Sequence, residues 1–135
     1  MIKMTMPELL KRAAFRYPQK EAIVSEKGRW TYEQWEKNAN KRARALSKYG
    51  IKRGDHVATL FLNGSEVLET FLALMKLGAV IVPLNVRLSG SELHYIVEHS
   101  DATSQNLKDG WFLNLRIIFH CLSSSLLSTL IIPGE

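Results

Sequence analysis

Apolar positions along this chain recur with two periods, and the period switches at recognisable turn and cap residues. Met6, Leu9, Leu10, Ala13, Ala14 and Tyr17 fall on one helical face. Thr5 is placed to cap that helix, Pro7 suits its first turn and Glu8 completes a capping box. Pro18 ends it. Glu21 to Ser25 and Arg29 to Thr31 read as two short strands joined at Lys27-Gly28, a hairpin. Thr31-Tyr32-Glu33-Gln34 repeats the capping pattern and opens a helix to Tyr49. Trp35, Ala39, Arg42, Ala43 and Leu46 lie on or near its inner face, and Gly50 is expected to stop it in the left-handed conformation.

Beyond Gly50 the pattern becomes that of a buried sheet. Val57 to Leu62 is a short apolar run, predicted as a buried parallel strand. Asn63-Gly64-Ser65 turns the chain. Glu66 to Leu77 is an apolar-rich helix whose apolar residues cover more than one stripe, so burial on two sides is expected. Gly78 stops it. Val80 to Val82 is the next strand, ended by Pro83, which has no amide hydrogen to donate. Strand, helix and strand in this order predict a parallel pair joined by a right-handed crossover. Ser89-Gly90-Ser91-Glu92 is a third capping box, opening a helix to about His99. The expected buried centre comprises Leu10, Ala14, Ile23, Trp35, Leu46, Val57, Leu60, Phe71, Leu74 and Val82. The class is α/β.

Composition narrows the chemistry. A chain of 135 residues is one domain's worth, and 46% hydrophobic with 23% charged residues is ordinary globular usage. The net charge of +5 comes from scattered Lys and Arg. Lys37, Lys41, Arg44 and Lys48 recur at helical spacing, which reads as a solvated face. No nucleic-acid partner is expected, since no aromatic interleaving or nucleic-acid motif accompanies them. Cys121 is the one cysteine, which excludes an internal disulfide and fits a reducing, cytoplasmic setting. His94 and His99 are five apart and do not share a helical face as metal ligands would. His56 and His120 stand alone, so no metal site is expected. The first residues lack the apolar core of a signal peptide. Leu62 to Glu66 offers one glycine, Gly64, where a dinucleotide fingerprint needs three. Asn63, Glu66, Asn85 and Arg87 are the polar residues at the strand ends, where α/β proteins place ligands; turn formation, capping and loop closure are their structural roles.

The ordered set Gly50-Ile51-x-x-Gly54-Asp55-x-Val57-Ala58, then Asn63-Gly64-Ser65-Glu66, then Leu77-Gly78-Ala79-Val80-x-Val82-Pro83-Leu84-Asn85-x-Arg87-Leu88 resembles the N-terminal region of AMP-forming acyl-CoA synthetases. Ala22-Ile23-Val24, Trp30-Thr31-Tyr32, Tyr95-Ile96 and Ser100-Asp101-Ala102 extend the resemblance from about Met6 to about Ala102. The resemblance implies part of the N-terminal domain of the adenylate-forming fold: a β-hairpin, a parallel strand–helix–strand unit and flanking helices. It implies ATP, magnesium, coenzyme A and a carboxylate substrate for the intact enzyme, and the string Pro83 to Leu88 leans towards fatty acids. The family's phosphate loop, ribose-holding Asp and catalytic Lys lie downstream of this region. Ser123-Ser124-Ser125 lacks the glycine turn and following Lys of a phosphate loop. No catalytic, cofactor-binding or metal residue is therefore assigned, and no cofactor is expected in this piece alone.

From Ser104 the character changes. Residues 104–135 are rich in Leu and Ser, with no clean period of 2 or 3.6, and are expected to be an aberrant tail outside a domain at 1–103. Trp111 to Ile132 is 22 residues long, enough to span hydrocarbon. Arg116 inside it costs roughly 2.5–3.5 kcal/mol on insertion scales, so a membrane span is not the favoured reading. The leading expectation is a truncated acyl-CoA ligase, inactive alone. The alternative is a non-catalytic interaction module, self-associating through exposed apolar faces, or a membrane-associated truncated product.

Overall fold

A computed structural model describes residues 4–102 together with 118–119 and 128–129. The described backbone forms helix α1 (Met6–Arg16), strands β1 (Glu21–Ser25) and β2 (Gly28–Thr31), helix α2 (Tyr32–Lys48), strand β3 (His56–Leu60), helix α3 (Ser65–Leu77), strand β4 (Val80–Leu84), helix α4 (Gly90–His99), and strands β5 (Ile118–Phe119) and β6 (Ser128–Thr129). They divide into two units, residues 1–53 with 64–78, and 54–63 with 79–135.

In the first unit, local chemistry sets the helix starts. Thr31 and Gln34 close a reciprocal cap: the Gln34 amide donates to Thr31 Oγ1 at 3.3 Å, and the Thr31 amide donates to Gln34 Oε1 at 2.9 Å. At α1 the Glu8 carboxylate accepts from the Thr5 amide at 2.8 Å and from its hydroxyl at 3.0 Å. Gly50 stops α2 with φ +82°, and Gly78 stops α3 with φ +71°, both left-handed as expected. β1 and β2 pair antiparallel, with an irregularity between Glu21 and Ile23. Leu10, Ala39 and Leu72 bring α1, α2 and α3 together, with Tyr32 and Trp35 packed beside them. The apolar face expected of α1 is only partly used. Leu10 is buried and Ala13 and Ala14 are half-buried, whereas Met6, Leu9 and Tyr17 are exposed.

In the second unit, β3 and β4 pair in parallel, Val57 opposite Ile81 and Leu60 opposite Leu84. The sheet order is β4-β3-β5-β6, with β5 parallel to β3 and antiparallel to β6. Ala58, Leu84, Val97 and Ala102 form its core, flanked by Leu60, Val82, Leu93 and Ile96. Ser89 and Glu92 close the third cap reciprocally. The expected strand ends shift: β3 stops at Leu60 rather than Leu62, and β4 runs through Pro83 to Leu84. Pro83 is tolerated because β4 is the terminal strand of the sheet among the described residues. The Val80 amide points inward, to Asp55 O at 2.8 Å. Alternate amides share a side, so the nitrogen of Pro83 falls on the outer edge and costs the ladder nothing.

Of the expected centre, Leu10, Ile23, Leu46, Val57 and Leu74 are buried. Ala14, Trp35, Leu60, Phe71 and Val82 are half-buried, with Trp35, Leu60 and Val82 packed at the margins of the two clusters. Among the described residues no helix is long and apolar enough to cross a membrane. The expectations for the tail at 104–135, apart from the β5 and β6 pairings, lie outside the described residues.

Candidate functional site

Two of the polar strand-end residues, Asn85 and Glu66, make local structural contacts. Asn85 makes a turn: its Oδ1 accepts from the Arg87 amide at 3.0 Å, and its carbonyl accepts from the Leu88 amide at 3.2 Å. The Arg87 and Asn63 side chains are exposed. Glu66 lies in the other unit, where its carboxylate accepts from Lys27 Nζ at 3.0 Å and joins the hairpin to α3.

The most charged interior lies instead between α2 and α3. Glu69 is buried on α3 and accepts from Asn38 Nδ2 at 2.9 Å and Arg42 Nε at 2.8 Å. One helical step further, Lys76 Nζ donates to both oxygens of Glu36 at 2.8 and 3.0 Å, while Asn40 holds Oε1 at 3.1 Å. Sequence reasoning missed this seam. Its available signal was spacing: Glu66, Glu69 and Lys76 recur on α3 at three and seven, and Asn38 and Arg42 on α2 at four. Leu68 and Met75, seven residues apart on α3, are apolar and exposed.

The histidines are also spoken for. His56 Nδ1 lies 2.6 Å from the Ser100 carbonyl, tying β3 to the end of α4. His94 faces Glu98 one turn along at 3.3 Å, and His99 stacks on Tyr95 with ring centroids 4.0 Å apart. Among the described residues, no three His, Cys, Asp or Glu side chains converge as a metal site would require. His120 and Cys121 lie outside the described residues. Lys37, Lys41, Arg44 and Lys48 all lie exposed on α2.

Nucleotide phosphates need free amides or fixed cations, and helix N-termini are the usual source. At α1, α2 and α4 the amides of the cap residues Thr5, Thr31 and Ser89 donate to Glu8, Gln34 and Glu92. The Ser89 hydroxyl and then its amide hold the Glu92 carboxyl below the usual carboxylate range. The Thr5 amide and then its hydroxyl do the same for Glu8. At α3 the Glu66 carboxylate folds back beside Gly64, placing negative charge where a phosphate would enter. The described residues build a helix layer and a sheet.

Residues 10–105 match the model of the AMP-binding enzyme family. The chain is 38% identical over 93 residues to 4-hydroxybutyrate–CoA ligase 2 of Metallosphaera sedula, covering 69% of this chain and 17% of that protein. It is 38% identical over 97 residues to a 2-succinylbenzoate–CoA ligase of Bacillus thuringiensis, covering 72% and 20%. Its fold matches the inhibitor-bound N-terminal domain of FACL13 from Mycobacterium tuberculosis with a TM-score of 0.69 and 36% identity, over 72% of this chain and 25% of that one. The chain spans about a fifth of the length of the curated relatives it matches.

Proposed function

From the premise that this chain belongs to the AMP-binding enzyme family and corresponds to the N-terminal part of an acyl-CoA ligase, we propose that it is scaffold for an AMP-forming acid–thiol ligase and does no chemistry alone. In the intact enzyme a carboxylate oxygen attacks the α-phosphate of ATP and releases pyrophosphate. The thiol of coenzyme A then attacks the acyl carbon and releases AMP. Magnesium and fixed cations would neutralise the phosphates. The substrate class is a carboxylic acid, with fatty acids as the narrower reading, and the setting is cytoplasmic.

The observation that carries this reading is the match over residues 10–105, in a chain that spans about a fifth of the length of the ligases it resembles. The exposed Leu68 and Met75 are where further chain of the same enzyme would pack. Two experiments test it. Replacing the matching segment of the Bacillus thuringiensis 2-succinylbenzoate–CoA ligase with residues 10–102 should give a folded chimera that retains turnover. The purified 135-residue chain, given ATP, magnesium and short to long fatty acids, should release pyrophosphate no faster than buffer. Turnover that persists after removal of host synthetases would overturn the scaffold reading.

A further inference from the structure

The face of α1 opposite its packed side holds a large aromatic residue among cations, and nothing in the proposed chemistry uses it. Phe15 is 90% exposed, while Leu10 on the inner side is 5% exposed. Lys11 and Arg12 lie four and three residues before Phe15, on the turn over which its ring leans. Arg16 and Lys20 follow, each about 6 Å from the ring centroid of Tyr17, which is itself 52% exposed. Among the described residues none of these four cations has a carboxylate within ion-pair distance. Glu8 is the one acidic residue of α1, and it is turned back onto Thr5.

We propose that the outward face of α1 docks on an anionic lipid surface, with Phe15 as the inserted residue and Lys11, Arg12, Arg16 and Lys20 as headgroup partners. Charge complementarity selects the occupant. Four cations with one acidic residue, Glu8, near Arg12 favour a dense negative surface, and an exposed ring among them favours one with an apolar layer beneath its charges. Long basic side chains can keep their heads at the phosphates while the ring enters the acyl boundary. The helix lies on the surface and spans nothing, which separates this inference from the spanning question raised by the tail. It does not depend on the ligase reading.

The test is co-sedimentation of the purified full chain with vesicles of phosphatidylcholine alone or mixed with phosphatidylserine. Binding is expected to the mixture, weakening as salt rises. Lys11→Gln/Arg12→Gln should lower partitioning about thirtyfold, the effect of two surface cations. Phe15→Ser should lower it about tenfold. Both variants should keep the parent's circular dichroism, since the altered side chains are exposed. Lys41→Gln/Arg44→Gln on α2 should change binding by no more than a few-fold. Unchanged binding by Phe15→Ser would overturn the proposal, because residues outside α1 would then hold the membrane. Equal losses from the α1 and α2 charge variants would overturn it in favour of diffuse attraction. A lipid-free dimer that Phe15→Ser dissociates would assign the face to a second copy.

Discussion

Removing the Arg42 guanidinium isolates the energetics of the polar seam between α2 and α3. The Glu69 side chain is 8% exposed, and Arg42 is 27% exposed. Arg42→Met keeps the length and apolar stem of the side chain while deleting the 2.8 Å charge-assisted bond to Glu69. Stranding a buried charge costs about 3–5 kcal/mol when its partner is fully buried too. Two features reduce the figure here: Asn38 still donates to Glu69, and the partly exposed Arg42 position admits water. The expected loss is therefore about 2–3 kcal/mol. Glu69→Met/Arg42→Met removes both charges and should lie within about 1 kcal/mol of the parent chain, because no ion is left unpaired. Urea denaturation followed by circular dichroism gives both values through the midpoint shift. If Arg42→Met costs under about 0.5 kcal/mol, the pair behaves like a surface ion pair and the argument from burial fails.

Leu74→Ala should cost about 2–5 kcal/mol, since Leu74 is 0% exposed. Phe71→Ala, although it deletes more atoms, should cost only about 1–2.5 kcal/mol because Phe71 is half-buried; a larger loss at Phe71 than at Leu74 in the same urea assay would refute the placement. The carboxyls of Glu8 and Glu92 are held below their ordinary value of 4.5. Their caps should contribute fully above pH 4.5 and be lost as pH falls through the lowered folded values, with no effect between neutral and mildly basic pH. NMR titration of the α4 amides checks this, and Glu92→Gln, which still accepts from Ser89, should remove the acid transition at that helix.

What was legible in the sequence was what is decided within a few residues. Thr5, Thr31 and Ser89, each followed three residues later by Glu or Gln, mark helix starts because both bonds of the cap are local. Gly50 and Gly78 mark stops because the left-handed turn is local too. Glu69 was not legible: a carboxylate in a helix reads as solvent-facing until Asn38 and Arg42, about thirty residues away, are known to meet it. The half-burial of Trp35 and Phe71 was missed for the related reason that periodicity identifies an apolar face and not how far its neighbours cover it. Pro83 was read as a terminator because sequence does not distinguish an edge strand from a central one. The candidate ligand residues Asn63, Glu66, Asn85 and Arg87 shared only their position at strand ends, and that position proved compatible with turns and ion pairs.

Pro83 also bears on how the outer side of β4 would meet a second strand. An edge strand is a template for polymerisation, because a second chain can add to its free donors and acceptors. Along the outer side of β4 the nitrogens of Ile81 and Pro83 alternate with inward-facing amides, and only Ile81 carries a hydrogen. An incoming strand would find one donor where a regular ladder needs two, and the second position would bury its own carbonyl unpaired. The same residue that ends nothing in the native sheet would thus leave a strand added at β4 one donor short.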